Sequence, residues 1–548
     1  MSIASIPELP ALYYLDNFQT ALAWVRERYA DLLDARELDF MERFQTLGTP
    51  SQALLVRLIM RKGRHFRNSK LNYAEVGDID LAAAPLCALG WLCTDEQIDL
   101  ETLFGQLRKD EIVAHLPTAV AHRGCTKAVM LETLSTVPAE ARPLRLWCPG
   151  LQETLYSLRV NDLCDRLRLM FFGNLSQTWA EFVLADLGIF RYESVDISPQ
   201  SRGFRCREDV DHYLHLHACR DAFDAGMPVP DVRQMIGEFA SPNPYLRMRH
   251  GKLLFTMARH LEREESFEEA LQLYAECDYA GARQRRIRIL EKLARYRDAQ
   301  VLAMAASAKP ESDAELQLVE RALVRLERKL GNPVSHKPCE HNANRLDLQM
   351  RRPGHGSVER AVCEQFSVAQ APVYYVENAL INSLFGLLCW EAIFAPLPGA
   401  FFHPFHGGPV DLHHADFYSR RAELFESCLA HLESGTYHQI IRETHARKFG
   451  IQSPFVYWGL GEEVLDQALL CLPAEHLRHW FERLLLDIRA NRAGMPDLIQ
   501  FWPEERRYRM IEVKGPGDRL QDNQRRWIAF CARHGMPVDV CHVRWTDA

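Results

Sequence analysis

Strand-like sequence is concentrated near the end of this 548-residue chain, and this asymmetry constrains the fold more than any other feature. Before about residue 330, apolar residues recur mainly at spacings of three and four, the pattern of amphipathic helices. Runs typical of strands come at 498–502, 508–514 and 538–545, with a helical pattern at 522–534. The sequence therefore predicts a multi-domain protein, mostly helical in its first two-thirds, that ends in an α/β domain with a small mixed sheet.

Composition is that of an ordinary globular protein, with 47% hydrophobic and 25% charged residues, which excludes a disordered polymer. The net charge of -8 means that any binding to nucleic acid must come from local basic patches. The 15 cysteines are scattered without a C-x-x-C pair, which indicates reduced thiols. No run approaches about 18 apolar residues, so we expect no membrane span and a cytoplasmic location.

The patterns favour four domains. They are a helical cap (1–50), a DNA-binding domain of the SAP or winged helix-turn-helix type (51–162), a TPR-like helical solenoid with a linker (163–358), and the α/β domain (359–548). Short helices separated by glycine-containing turns are typical of the second domain. Helix-pair patterns at 267–274 and 296–302, each with an aromatic residue before an alanine, resemble degenerate tetratricopeptide repeats. The segment 331–356 carries no hydrophobic period, which predicts a loop or linker.

Two groups of basic residues are candidates for contacts with DNA phosphates. The first follows the helix predicted for 49–60 and comprises Arg61, Lys62, Arg64, Arg67 and Lys70. The second lies in the predicted solenoid and comprises Arg283, Arg285, Arg286 and Arg288. Charge runs at helix ends are often only solvated, and solenoid arginines also pair with glutamates of neighbouring helices, so both alternatives stay open.

Acidic and basic residues around the strand-like runs form a pattern suited to phosphodiester chemistry. Asp497 opens one predicted strand, and Glu512-Val513-Lys514 closes the next. Residues i and i+2 of a strand share a face, so Glu512 and Lys514 point to one side. If the strands pair as a hairpin, Asp497 and Glu512 offer oxygen ligands to Mg²⁺ or Mn²⁺, which stabilises charge on a phosphodiester under attack. The alternative is an exposed, salt-bridged hairpin.

These residues also carry a resemblance to a family of nucleases. Gly494-Met495-Pro496-Asp497-Leu498, the stretch 512–520 and Gln524 resemble the VRR-NUC domain of the PD-(D/E)xK superfamily. The segment 377–388 resembles the catalytic helix of the Fanconi-anaemia-associated nuclease family. The segments 61–71, 171–174 and 182–188 are similar to other parts of that family, so the resemblance covers nearly all of the chain after residue 50.

The resemblance implies a metal-dependent, structure-selective DNA nuclease that incises 5′-flapped or branched DNA near the junction. It also implies 5′-to-3′ exonuclease activity and a role in interstrand crosslink repair. One or two Mg²⁺ or Mn²⁺ ions are implied as cofactors, with Lys514 as the catalytic lysine and Gln524 in the catalytic set. The implied metal ligands are Glu377, Asp497, Glu512 and the carbonyl of Val513.

Other interpretations remain open at this point. Animal members of the family carry a ubiquitin-binding zinc finger, and no C-x-x-C ligand pair is present here, so we expect a bacterial relative that associates with the nucleoid when engaged on DNA. His406 stands where relatives can carry a polar side chain facing the site. A catalytically inactive DNA-binding or protein-interaction scaffold is the main alternative function. Zinc sites are a further alternative, at His212, His215 and His217 or at His336, Cys339 and His341.

Overall fold

The computed structural model describes residues 10–137, 139–179, 190–333 and 344–546. The chain forms two compact units. Unit 1 comprises Met1–Phe190 and Phe204–Val210, and unit 2 comprises Arg191–Gly203 and Asp211–Ala548. Across the described ranges, no helix is both long enough and apolar enough to cross a lipid bilayer.

Unit 1 is mainly helical. Its described helices are Tyr13–Tyr29, Ala35–Thr46, Thr49–Ile59, Ile79–Ala88, Leu100–Gln106, Lys109–His115, Lys127–Leu134, Leu144–Trp147 and Asn161–Phe172, with 3₁₀ turns at Asn68–Lys70 and Pro117–His122. Strands β1 (His65–Arg67), β2 (Leu92–Cys93) and β3 (Leu155–Leu158) form a small antiparallel sheet in the order β1-β3-β2. The predicted helix start at Thr49 is confirmed, with Pro50 in the first turn, where its missing N–H costs no hydrogen bond.

Unit 2 begins with the helices that the sequence assigned to a solenoid. They are Val229–Ile236, Pro244–Arg263, Phe267–Ala275, Ala282–Lys292, Tyr296–Ala308 and Asp313–Leu330, and helix Arg207–Asp224 precedes them in the chain. Ala270 and Ala299, the small residues of the two predicted helix-pair patterns, are completely buried. An alanine at such a position lets neighbouring helices pack closely, which confirms the helical prediction for this region.

The last part of unit 2 contains the predicted mixed sheet. Its strands are β4 (Asn344–Arg351), β5 (Val373–Tyr375), β6 (Leu498–Trp502), β7 (Arg507–Lys514) and β8 (Val538–Thr546). The order is β4-β8-β7-β6-β5, in which β8 runs parallel to both β4 and β7, and the other neighbours are antiparallel. The helices around it are Val358–Phe366, Leu380–Leu388, Trp390–Ile393, Ala422–Ser434, Tyr437–Lys448, Glu462–Cys471, Ala474–Leu486, Ile488–Asn491 and Asp522–Arg533, with a 3₁₀ turn at Ser419–Arg421.

Strand β4 contradicts the prediction of a loop or linker throughout 331–356. Leu346, Leu348 and Met350 alternate with polar residues, and their side chains pack against the core of the sheet around Val513 and Cys541. This alternation is a strand signal, but β4 is an edge strand with one face open to solvent. Its outward charges concealed the pattern.

Candidate metal-dependent active site

The β6–β7 hairpin brings Asp497 and Glu512 together. Asp497 directly precedes β6, and Glu512 lies on β7, with Leu498 paired to Ile511 across the hairpin. The backbone N–H of Val513 donates to Asp497 Oδ2 at 2.8 Å, which fixes the Asp497 carboxylate against the neighbouring strand. The structure therefore has the hairpin that the sequence required for the two acids to meet.

Both carboxylates and the lysine are buried. The residue exposures are 6% for Asp497, 0% for Glu512 and 8% for Lys514. Lys514 Nζ lies 2.6 Å from Glu512 Oε1, but the contact is an ion pair without hydrogen-bond alignment, and neither Glu512 oxygen accepts a hydrogen bond. Burial, and then the charge of Asp497, raises the pKa of Glu512, whereas burial raises the pKa of Asp497 against the hydrogen bond from Val513.

This environment is costly for two ionised carboxylates and one lysine. A buried charge without hydrogen bonds is unfavourable unless a partner compensates for it. One cation cannot balance two anions, and Glu512 has two oxygens with no donor facing them. Carboxylate oxygens are hard ligands of the kind that Mg²⁺ and Mn²⁺ prefer, so the residues present fit a divalent cation.

Glu377 lies beside this pair but faces other partners. It follows β5, whose Tyr375 pairs with Leu498, and its charge contributes to raising the pKa values of Asp497 and Glu512. Its own carboxylate accepts hydrogen bonds from the Tyr375 hydroxyl and from Asn378 Nδ2, the latter at 3.2 Å. Consistent with this, no three Asp, Glu, His or Cys side chains among the described residues form a closed metal cage.

Gln524 and Val513 have identifiable local roles. Gln524 Oε1 accepts a hydrogen bond from the backbone N–H of Gln521 at 2.9 Å, which closes a capping box at the start of helix Asp522–Arg533. The side chain of Val513 packs in the core of the sheet. The catalytic role of Gln524 and the coordination by the Val513 carbonyl stay predictions.

The first basic group divides into exposed and buried members. Arg61, Lys62, Arg64 and Lys70 are exposed, and the ion pair from Arg64 to Asp162 is long, at 4.0 Å. Arg67 was wrongly assigned to DNA. It lies on β1, is 2% exposed, and its guanidinium forms ion pairs with both Glu111 and Glu153. A buried guanidinium held by two carboxylates cannot reach a phosphate.

The second basic group also divides. Arg283 donates from Nε to Glu315 Oε1 at 2.9 Å and also binds the carbonyl of Lys309, while Arg285 pairs with Glu262 at 3.3 Å. These two arginines hold adjacent helices together, which is the alternative that the sequence left open. Arg286 and Arg288 have no carboxylate partner among the described residues, so they are the members of this group that can contact phosphate.

The alternative metal sites gain no support. His215 Nε2 contacts the carbonyl of Ile236 at 3.3 Å, and His217 pairs with Asp221 at 3.5 Å, so neither is directed at a shared centre with His212. His336, Cys339 and His341 lie outside the described residues, as does the segment 182–188. His406 stacks near His403, with ring centroids 3.9 Å apart, and burial lowers the pKa of His406 to about 4.

Sequence reasoning missed two residues of the site. Tyr375 and Asn378 bind the Glu377 carboxylate, yet neither belongs to the motif that identified the acids. Their proximity in sequence to Glu377 was the only available signal, because a hydroxyl or amide that orients a carboxylate has no fixed sequence spacing.

Comparison with known proteins places this site in a wider context. The family model of the VRR-NUC domain matches residues 432–545, that of the FAN1 HTH domain matches 12–93, and that of the Fanconi anemia-associated nuclease SAP domain matches 97–147. A Fanconi-associated nuclease 1 homolog of Pseudomonas aeruginosa is 55% identical over 98% of this chain and 97% of its own length. A rice homolog is 25% identical over 97% of this chain and 62% of its own length.

The solved structures that this chain resembles contain DNA. A crystal structure of paFAN1 bound to 5′ flap DNA with a 2-nucleotide flap and a gap matches with a TM-score of 0.90 and 55% identity, covering 99% of this chain and 100% of that one. A second, with a 1-nucleotide flap, matches with a TM-score of 0.89. The likeness extends over both units rather than over the α/β domain alone.

Proposed function

The chain belongs to the Fanconi-associated nuclease 1 family, and we propose that it hydrolyses DNA phosphodiester bonds with a divalent cation held by Asp497 and Glu512. The observation that carries the proposal is the Glu512 carboxylate, which is completely buried and accepts no hydrogen bond beside a second acid and a lysine. An inactive scaffold would have no use for such an arrangement, since a neutral pair of the same size would be more stable.

The residues divide the work as follows. Asp497, Glu512, Glu377 and the Val513 carbonyl would hold one or two Mg²⁺ or Mn²⁺ ions, which supply Lewis-acid stabilisation of the attacked phosphate and lower the pKa of bound water. Lys514, on the same face of β7 as Glu512, is placed to donate to the attacking water or to a phosphate oxygen. The hydrogen bond from Val513 keeps the Asp497 carboxylate in place.

The proposed substrate is DNA with a 5′ flap or another branch, cut near the junction, with trimming in the 5′-to-3′ direction and a use in interstrand crosslink repair. Support comes from the paFAN1 structures, whose DNA carries a 5′ flap. A nuclease that reads no base sequence selects DNA by shape, and a nicked or flapped junction bends more easily than continuous duplex, for which smooth bending costs on the order of 1–6 kcal/mol. We therefore expect flaps and forks to be cleaved well above blunt duplex.

The test is a cleavage assay on labelled flap, fork, nick and duplex DNA with and without Mn²⁺. Asp497→Ala and Glu512→Ala should abolish cleavage, while DNA affinity measured in Ca²⁺ stays nearly unchanged, because removing an acid does not weaken attraction to phosphate. Glu505→Ala is the matched control, since Glu505 is an exposed acid in the turn of the same hairpin. Normal turnover by either active-site variant would refute the assignment.

A further inference from the structure

Asn378 has a backbone conformation that is unusual for a residue with a side chain. Its φ is +52°, in the left-handed region, directly between Glu377 and the helix Leu380–Leu388. Asparagine tolerates this region better than most residues, yet strained backbone at non-glycine positions still costs about 1 kcal/mol and persists only where the surroundings hold it in place. The contacts of Asn378 identify what holds it.

Asn378 connects two segments of the candidate site. Its Oδ1 accepts a hydrogen bond from the backbone N–H of Met495 at 3.1 Å, and its Nδ2 donates to Glu377 Oε1 at 3.2 Å. Its carbonyl accepts from Asn382 Nδ2 at 2.6 Å, and the same nitrogen donates to the carbonyl of Arg492 at 2.8 Å. The turn that carries Glu377 is thereby tied to the segment that leads into β6.

Tyr375 holds the other oxygen of the same carboxylate. Its hydroxyl donates to Glu377 Oε2, and its ring, on edge strand β5, is about half exposed. The backbone N–H of Val376 donates to the carbonyl of Asp497 at 2.9 Å, so the tyrosine and both acids belong to one rigid strand pair. A carboxylate has about four lone-pair sites, and two donors leave about two free for a cation.

We propose that Tyr375 and Asn378 are positioning residues that orient the Glu377 carboxylate toward Asp497 and Glu512 as the third acid of the metal site. The inference rests on the proposed function and adds two residues that act through Glu377. Glu377 is exposed and lies in a turn, so it would sample many rotamers without these two donors. Donors to the ligands of a metal typically change metal affinity or activity by about 10–100-fold when removed.

Two substitutions separate orientation of Glu377 from support of the backbone. Asn378→Asp keeps an oxygen for the Met495 N–H and an αL-tolerant residue, but replaces the donor to Glu377 with a repelling charge. Tyr375→Phe removes only the hydroxyl. Tyr374→Phe is the matched control, because the neighbouring Tyr374 hydroxyl donates to Glu463 at 2.7 Å instead.

The measurement is Mn²⁺ binding to the full-length protein, followed by loss of the free Mn²⁺ EPR signal, together with the Mn²⁺ dependence of flap cleavage and the Tm. We expect Asn378→Asp and Tyr375→Phe to weaken Mn²⁺ binding by about 10–100-fold, with cleavage recovering at high Mn²⁺ and with Tm within error of the parent. Tyr374→Phe should match the parent in all three measurements.

Two results would be decisive against the inference. Mn²⁺ binding by both variants that equals the parent's would show that the two residues do not position Glu377. An Asn378→Asp protein that loses Tm without a change in metal binding would reduce Asn378 to a structural role. If the parent itself neither bound Mn²⁺ nor cleaved DNA, the proposed function would fail first, which keeps the two conclusions distinguishable.

Discussion

Replacing Arg67 with methionine tests whether this arginine stabilises unit 1 rather than binding DNA. Arg67 Nη1 and Nη2 lie 2.7 and 2.8 Å from the Glu111 carboxylate, and Nε lies 2.5 Å from Glu153 Oε2. Hydrogen bonds from Arg67 are the main cause that lowers the pKa of Glu111 to about 2. Methionine fills a similar volume but leaves both carboxylates without their cation.

The expected loss follows from the geometry of this ion-pair network. Removing one partner of a buried ion pair costs about 3–5 kcal/mol. The side chains of Glu111 and Glu153 are 14% and 16% exposed, so water can reach them after the substitution, and we place the loss at the lower end, about 3 kcal/mol. For a unit of this size, that corresponds to a fall in Tm of about 6–12 °C.

Hydrogen exchange followed by mass spectrometry reports the effect locally. Peptides covering 100–116 and 150–158 should exchange about 100-fold faster, since every 1.4 kcal/mol is a factor of ten in the opening equilibrium. The matched control is Arg145→Met, which breaks the exposed pair with Asp95 and should leave exchange nearly unchanged. Equal protection in the Arg67 variant and the parent, or a weaker salt dependence of its DNA affinity, would refute the structural role.

Three further predictions follow from the same structure. Lys514→Met should lose cleavage but still bind Mn²⁺ in a titration, because lysine is not a ligand; lost binding would show that its role is misassigned. Reversing the charges of Lys62 and Arg64 should lower the slope of log affinity against log salt by about 1.8, at about 0.9 per phosphate contact, and an unchanged slope would mean that they are only solvated. His406 is buried in its neutral form with its pKa lowered to about 4. Its contribution to the free energy of unfolding should be complete above its ordinary pKa of about 6.5 and should fall by up to about 1.4 kcal/mol per pH unit as pH drops toward 4, so in urea titrations His406→Gln should flatten this decline.

Much of the α/β domain could be predicted from the sequence. The strand runs at β6, β7 and β8 and the helix before β8 carry their own periodic patterns, and the hairpin that pairs β6 with β7 lies within a short stretch of chain. Local patterns of this kind depend on side-chain alternation and turn residues, which one sequence displays directly. Asp497, Glu512 and Lys514 were found because their positions on paired strands follow from that local pattern.

Tertiary structure decided the rest, because distant partners determine what an ionisable side chain does. Arg67 and Lys62 look alike in the sequence, but Arg67 meets Glu111 and Glu153, far along the chain, and only Lys62 remains exposed. Arg283 and Arg286 differ in the same way, since only Arg283 meets Glu315 across the helix pair. Tyr375 and Asn378 join the site through hydrogen bonds to Glu377 and to the segment before Asp497, and no periodicity reveals such bonds. Chain packing alone sets which charges are desolvated and paired, so the function of a charged residue is decided by the folded neighbours that it meets.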